Sequence, residues 1–326
     1  MRRWAVGRGP AGRPRPVVAL VGLVLTPMLV LAACGENSEA PGASQQPQGA
    51  SLRITLGTQE FPEARILGEL WRQALAVNGY TVDLRKGVGP AADLDALLRD
   101  GEIDGYVAYT GTVLSVVAGE EVSGLDPEET YDQAEAFYEG RGMEMSEMTP
   151  FENKDAVAVT AAFAEENRLG QIRDLRELDG FRLGARPEFE SLYLGLEGLQ
   201  QVYGLTNATF VPVALEAQYT ALDEGDVDAV NAFTTDPQLV EGRYVLLEDP
   251  ELLFGSQNVV MVVSEDKLDR IDADAFLEVV DTVNGELTES AMVAMNAEVT
   301  SGEDDGEVAT RFLRGAGLMT PIRTDD

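Results

Sequence analysis

Two short stretches gather the side chains best suited to recognise a small molecule. Tyr109-Thr110-Gly111-Thr112 and Phe233-Thr234-Thr235-Asp236 each set one aromatic ring directly before a run of hydroxyls. Ring faces attract alkylammonium groups, at about 0.5–2 kcal/mol per cation–π contact, and Thr hydroxyls can donate or accept beside them. Taken singly, each ring is better explained by core packing. They become a candidate site because they hold the same register of a repeated segment. Residues 98–112 align without gaps to 222–236, with identities at Leu98/Leu222, Gly101/Gly225, Asp104/Asp228, Ala108/Ala232 and Thr110/Thr234. Ile103 matches Val227, and Tyr109 matches Phe233. A looser echo pairs Leu56-Gly57 through Phe61 with Leu183-Gly184 through Phe189.

The rest of the composition narrows the chemistry. The chain has no histidine and one cysteine, Cys34. Ser-His-Asp and Cys-His catalysis, imidazole metal sites and disulfides within the chain are therefore excluded. Carboxylates abound, but no spacing commits two of them to one reaction. The sequence thus assigns no catalytic residue, no cofactor and no metal. The acidic turn 301–306 lacks the length and spacing of an EF-hand loop. Five of the 24 basic residues, and none of the 57 acidic ones, lie in residues 1–16. The remainder of the chain is strongly anionic, which disfavours nucleic acid and anionic lipid and steers cations. Adaptation to salt, or plain solubility, explains the same charge equally well.

The elements that must position these residues follow from the pattern. Arg2, Arg3, Arg8, Arg13 and Arg15 precede an apolar run, 17–33, which ends Leu31-Ala32-Ala33-Cys34. That order describes a secretory leader over 1–33. Leu-Ala-Ala-Cys is similar to the lipobox of bacterial lipoproteins, which implies a lipid on Cys34. Residues 34–51 are rich in Pro, Gly, Ser and Gln and read as a disordered tether. From Leu52 onward the chain alternates. Residues 52–56 read as a strand, 63–78 as a helix with Ile66, Leu67, Leu70, Trp71, Ala74 and Leu75 on one stripe, 81–84 as a strand and 93–99 as a helix. Residues 276–287, 290–299 and 308–314 read as later helices, and 324–326 as an exposed acidic tail. Alternation of this kind implies mostly parallel sheets with helices on their faces. Ligands of such sheets sit beyond the carboxyl ends of the strands. Two similar α/β halves facing each other would set Tyr109 and Phe233 on opposite walls of one cleft, with Thr110, Thr112, Thr234 and Thr235 around it. A ligand touching both walls would favour closure.

Leu56-Gly57-Thr58-Gln59-Glu60-Phe61-Pro62-Glu63 with Ile66-Leu67-Gly68, the stretch 101–112, Gly184-Ala185-Arg186-Pro187-Glu188-Phe189, Gly198-Leu199, Tyr203-Gly204-Leu205 and 225–236 succeed one another in a known order. That order resembles the glycine betaine/choline/osmoprotectant-binding proteins of ABC importers, over 52–318. The resemblance implies a type II periplasmic-binding-protein fold: two α/β lobes joined by two crossover segments around a ligand cleft. Lobe 1 is expected at 52–154 plus 256–326, and lobe 2 at 155–255. It implies an exported, monomeric protein that captures a small solute and partners an ABC permease and ATPase, held to the outer face of the cell membrane through Cys34. It carries ligand-binding roles onto Thr58, Gln59, Tyr109, Thr112, Asp155, Phe233, Thr234 and Gln257. Four of the family's positions depart from the pattern. Gln59 stands where Lys is common, Asp155 where a Tyr often opens lobe 2, Leu192 where Arg often follows Glu-Phe, and Gln257-Asn258 where a Tyr pair occurs. Lost cations disfavour a ligand carboxylate, since neither Gln nor Leu replaces bidentate Arg. Asp155, if it faces the cleft, favours a positive group; beside Lys154 it could equally be solvated. A choline-like cationic amine is therefore expected ahead of glycine betaine. An uncharged polar solute, a sensor lipoprotein without a transporter, and an enzyme on the same fold stay open as alternatives.

Overall fold

The computed structural model describes residues 52–214 and 217–321. The leader, Cys34, the tether and the acidic tail lie outside the described residues. Among the described residues ten strands occur in chain order: β1 Arg53–Gly57, β2 Thr81–Arg85, β3 Gly105–Tyr109, β4 Met143–Met145, β5 Asp155–Thr160, β6 Phe181–Ala185, β7 Ala208–Pro212, β8 Ala229–Phe233, β9 Tyr244–Leu247 and β10 Val259–Ser264. They form two five-stranded sheets, β2-β1-β3-β10-β4 (lobe 1) and β7-β6-β8-β5-β9 (lobe 2). Within each, four strands run in one direction and the strand that enters from the other lobe, β10 or β5, runs antiparallel to both of its neighbours. The chain passes between the lobes twice, through 146–154 and 248–258.

The central strands are continuous apolar runs because helices cover both faces. All five residues of β3 and the first five of β10 are buried. In lobe 1 the helix Pro62–Val77 supplies the cover on one side. Its Ile66, Leu67, Leu70, Trp71, Ala74 and Leu75 pack with Val259, Met261 and Val263 of β10 in one core. Pro62 opens this helix, where its missing N–H costs nothing. Helices Ala273–Gly285, Glu289–Thr300 and Asp305–Gly315 complete that core through Phe276, Val280, Met292 and Leu313. The turn 301–306 works as a helix start: Asp304 accepts from the Glu307 N–H, and Asp305 pairs with Lys86 and Arg65.

The repeat read from sequence is structural. β3 and β8 occupy the same slot in their sheets, each between a parallel and an antiparallel neighbour. Gly101 and Gly225 end the preceding helices at φ +71° and +69°, a region open to glycine but strained for other residues. Asp104 Oδ2 accepts from the Thr55 N–H at 2.8 Å, and Asp228 Oδ2 accepts from the Arg182 N–H at 2.8 Å. The same carboxylate thus ties each strand start to its neighbour in both lobes. The looser echo ends at the strands. After β1, Pro62 begins a 16-residue helix; after β6, Pro187 begins a short 3-10 turn that leads into irregular backbone at Leu194 and Gly195. Phe61 therefore stays 39% exposed, while its counterpart Phe189 is fully buried.

Candidate functional site

The carboxyl ends of β1 and β3 and the start of β10 form one rim on lobe 1. Thr58, just past β1, is buried, and its hydroxyl is engaged by the loop, donating to Gln59 O and accepting from the Gly87 N–H. Gln59 is buried, and its side-chain oxygen has no hydrogen-bond partner. The Thr110 hydroxyl, at the end of β3, and the Ser256 hydroxyl are likewise buried and unpartnered. Thr112 and Gln257 meet: Gln257 Oε1 accepts from the Thr112 N–H at 3.0 Å and from its hydroxyl at 3.2 Å. Gly111 lets the second crossover come this close, since a Cβ there would lie 2.4 Å from Ser256 O. Tyr109 is only 4% exposed, and its ring lies 5.8 Å from Phe61. Phe61 is thus the more open ring of this rim, a residue that sequence reasoning kept within a motif and gave no role.

The two rims are joined through the crossovers. The Thr110 N–H donates to Asn258 O, Asn258 bridges Glu152, and the Asn153 N–H donates to Gln257 O. Thr234 closes the path: its hydroxyl donates to Glu152 O and accepts from the Lys154 N–H. Thr234 therefore staples lobe 2 to the first crossover.

On lobe 2 the rim comprises the ends of β6 and β8 and the start of β5. Asp155 pairs in register with Phe233. It is not a solvated neighbour of Lys154, which pairs with Glu152 instead. Its carboxylate meets the Arg186 guanidinium end-on, Nη1–Oδ1 at 2.9 Å and Nη2–Oδ2 at 3.3 Å. Asn231, 1% exposed, donates to Asp155 Oδ1 at 2.8 Å and accepts from Arg186 Nη1. The guanidinium carbon lies 5.2 Å from the Phe189 ring centre and 5.9 Å from that of Phe233. Asp236 accepts from the Phe233 N–H and the Tyr219 hydroxyl, and burial, with the Asp155 charge adding, pushes its carboxyl up. Leu192, in the position considered for an arginine, is 40% exposed. Arg186 is the cation that the sequence reading overlooked.

Behind the lobe 1 rim lies a second unforeseen feature, the buried carboxylate of Glu63. It accepts from the Tyr109 hydroxyl at 2.9 Å, from Asn153 Nδ2 at 2.8 Å and from Asn296 Nδ2 at 2.9 Å, and bonds the Thr235 hydroxyl. Asn296 also donates to Thr235 O. Lobe 1, the first crossover and lobe 2 therefore converge on one side chain. Burial raises the Glu63 carboxyl above its ordinary value, against the four donors that lower it. Burial, and then the Glu63 charge, keep the Tyr109 phenol protonated as a donor. A groove of about 320 Å³ between Leu239–Val240 and the start of helix Glu289–Thr300 offers one carboxylate, Glu289, and no ring.

Each rim thus carries one partly exposed ring, Phe61 or Phe233, and the lobe 1 side adds buried, unpartnered oxygens of Gln59, Thr110 and Ser256. Residues 53–315 match the family described as the substrate binding domain of ABC-type glycine betaine transport systems. The chain belongs to that family. Its members bind a small solute outside the cytoplasm and work with a permease and an ATPase. This substrate-binding domain is 28% identical, over 83% of the chain and 90% of the relative, to the glycine-betaine-binding protein of Pseudomonas aeruginosa. It is 21% identical to the carnitine transport binding protein OpuCC of Listeria monocytogenes, over 90% and 94%. A crystal structure described as a glycine betaine/carnitine/choline ABC transporter superposes with a TM-score of 0.76 at 20% identity, covering 82% of this chain and 99% of that one. The relatives are transport proteins rather than enzymes. No helix among the described residues is long and apolar enough to cross a membrane.

Proposed function

We propose that this protein is the extracytoplasmic receptor of an ABC importer for a quaternary or other cationic amine, choline-like rather than betaine-like, and that it is anchored through lipid on Cys34 as a monomer. The observation that carries the ligand class is that each rim has a partly exposed ring beside a strand's carboxyl end, Phe61 on lobe 1 and Phe233 on lobe 2. Methylated ammonium groups bind ring faces without needing a hydrogen bond, and desolvation strengthens the contact. The unpartnered oxygens of Gln59, Thr110 and Ser256 suit a hydroxyl on the same ligand. Contact with the ligand is proposed for Gln59 and Phe233, and for Tyr109 through its ring alone. For Thr58, Thr112, Asp155, Thr234 and Gln257, polar atoms already engaged within the protein make the role one of shaping the rim. Curated relatives named for glycine betaine and carnitine support a trimethylammonium guest. Calorimetric titration of the mature domain with choline, glycine betaine, carnitine, amino acids and polyamines is the test. Choline is expected to bind most tightly, and a panel in which no amine binds would defeat the reading.

A further inference from the structure

We infer that Asp155 acts as a built-in substitute for a ligand carboxylate, holding Arg186 and so setting the specificity of the cleft against carboxylate-bearing amines. This role rests on the amine-receptor reading and deepens it.

Arg186 sits just past β6, on the rim of lobe 2, the edge at which a sheet of this kind meets its ligand. A guanidinium in such a place is the natural partner of a carboxylate, because its fork matches two oxygens at once. Here that edge is occupied from within the protein. Nη1 and Nη2 face the two Asp155 oxygens, Nη1 also donates to Asn231, and Nε points toward Glu188 at 3.6 Å. The rings of Phe189 and Phe233 flank the guanidinium. Asn231 fixes the arrangement, since it is buried and bonds both partners of the pair.

An incoming carboxylate would have to displace Asp155 and then share the rim with that expelled charge. Asp236, tied to the Phe233 N–H, and Glu188 add further negative groups nearby. An alkylammonium ion without a carboxylate meets none of this opposition. The same guanidinium that would welcome glycine betaine in a bare cleft is thereby made neutral toward it. Asp155 touches the ligand only through its neighbours; it is a specificity-determining residue that acts by occupying Arg186.

The experiment compares choline and glycine betaine by calorimetry on the wild-type mature domain, on Asp155→Asn and on the double variant Asp155→Asn/Arg186→Met. The wild type should bind choline at least tenfold more tightly than glycine betaine. Asp155→Asn, which offers one oxygen in place of two, should improve the betaine-to-choline affinity ratio at least tenfold, and removing Arg186 as well should abolish that gain. A ratio within threefold of wild type in Asp155→Asn would overturn the inference. A second arm needs no amine. Sodium acetate at 50 mM should raise the melting temperature of Asp155→Ala by at least 2 °C over equal sodium chloride and leave the wild type unchanged. An equal response of both proteins would also overturn it. If no protein binds any amine, the amine-receptor reading falls, and the acetate arm still decides whether Asp155 occupies Arg186.

Discussion

The two rims are built from one repeated segment and yet hold charge in opposite ways. On lobe 1 the charged group that is bonded to its neighbours is withdrawn: Glu63 lies behind the surface, surrounded by donors, while Glu60 and Phe61 stand exposed and Gln59, Thr110 and Ser256 are buried. On lobe 2 the charge stands at the surface as a matched pair, Arg186 with Asp155, braced by Asn231 and framed by rings. The strands, the glycine turns and the tying aspartates are shared, so the scaffold is common and the difference is confined to residues beyond the strand ends. Duplicate scaffolds can therefore diverge where they meet a ligand while their sheets keep one geometry. A withdrawn anion serves the connection between lobes; a partly buried, neutralised pair stands at the rim of lobe 2.

Substitutions can break this contrast, and the largest effect is expected at Glu63. Glu63→Ala would leave the Tyr109 hydroxyl and the Asn153 amide without this acceptor and Asn296 with Thr235 O alone, at a cost of about 3 kcal/mol. Urea unfolding measures it, and a loss smaller than about 0.5 kcal/mol would show that Glu63 is no hub. Next are the rings. Phe233→Ala and Phe61→Ala should each weaken choline binding about tenfold with little change in melting. Tyr109→Ala should weaken binding by a similar factor but also destabilise the fold, because it takes a donor from Glu63; Tyr109→Phe should keep affinity and lose only about 1 kcal/mol of stability. Unchanged affinity in all three alanine variants would clear the rings from the site.

The tying aspartates sharpen the comparison on a smaller scale. Asp228 accepts from the N–H, Nε and Nη2 of Arg182, whereas Asp104 accepts from the Thr55 N–H and pairs with Lys267 at 3.2 Å. Asp228→Asn should cost more than Asp104→Asn, each on the order of 1 kcal/mol. The Arg182 hydrogen bonds hold Asp228 below the usual carboxylate range, so its contribution is present above about pH 4 and falls away as acid protonates it. Asp281 behaves in the opposite sense. Burial, with Glu147 and Glu144 adding, raises its carboxyl to about 6. The folded state then binds its proton more tightly than the unfolded chain. Stability from this group is full below about pH 4 and is lost as pH rises through about 6. Asp281→Asn should raise the melting temperature slightly at pH 7 and leave it unchanged at pH 4, as thermal melts at the two pH values would show.

Much of the scaffold was legible in the sequence because it rests on local patterns. The strand-helix alternation, the amphipathic stripe of the first helix and the glycine turns of the repeat each lie within a dozen residues. The relation of Asp155 to Arg186 was not legible, since it joins the start of one strand to the end of another in a register that only the folded sheet defines. Read alone, Asp155 had Lys154 as its obvious partner. Glu63 did leave a trace. It lies on the same helical stripe as Ile66, Leu67, Leu70 and Ala74, and a carboxylate on an apolar stripe asks for buried donors. Those donors, Asn153 and Asn296, are far apart in the chain, so the partners stayed hidden. Phe61 was visible as part of a motif, but its exposure depends on the helix after it, which its counterpart in lobe 2 lacks.

The central claim is that two lobes close on an amine held between a ring from each. Small-angle X-ray scattering of the mature domain, with and without saturating choline, tests this most directly. A smaller radius of gyration is expected with choline, and loss of that compaction in Phe233→Ala at the same concentration. Choline binding detected by calorimetry together with an unchanged scattering curve would contradict it.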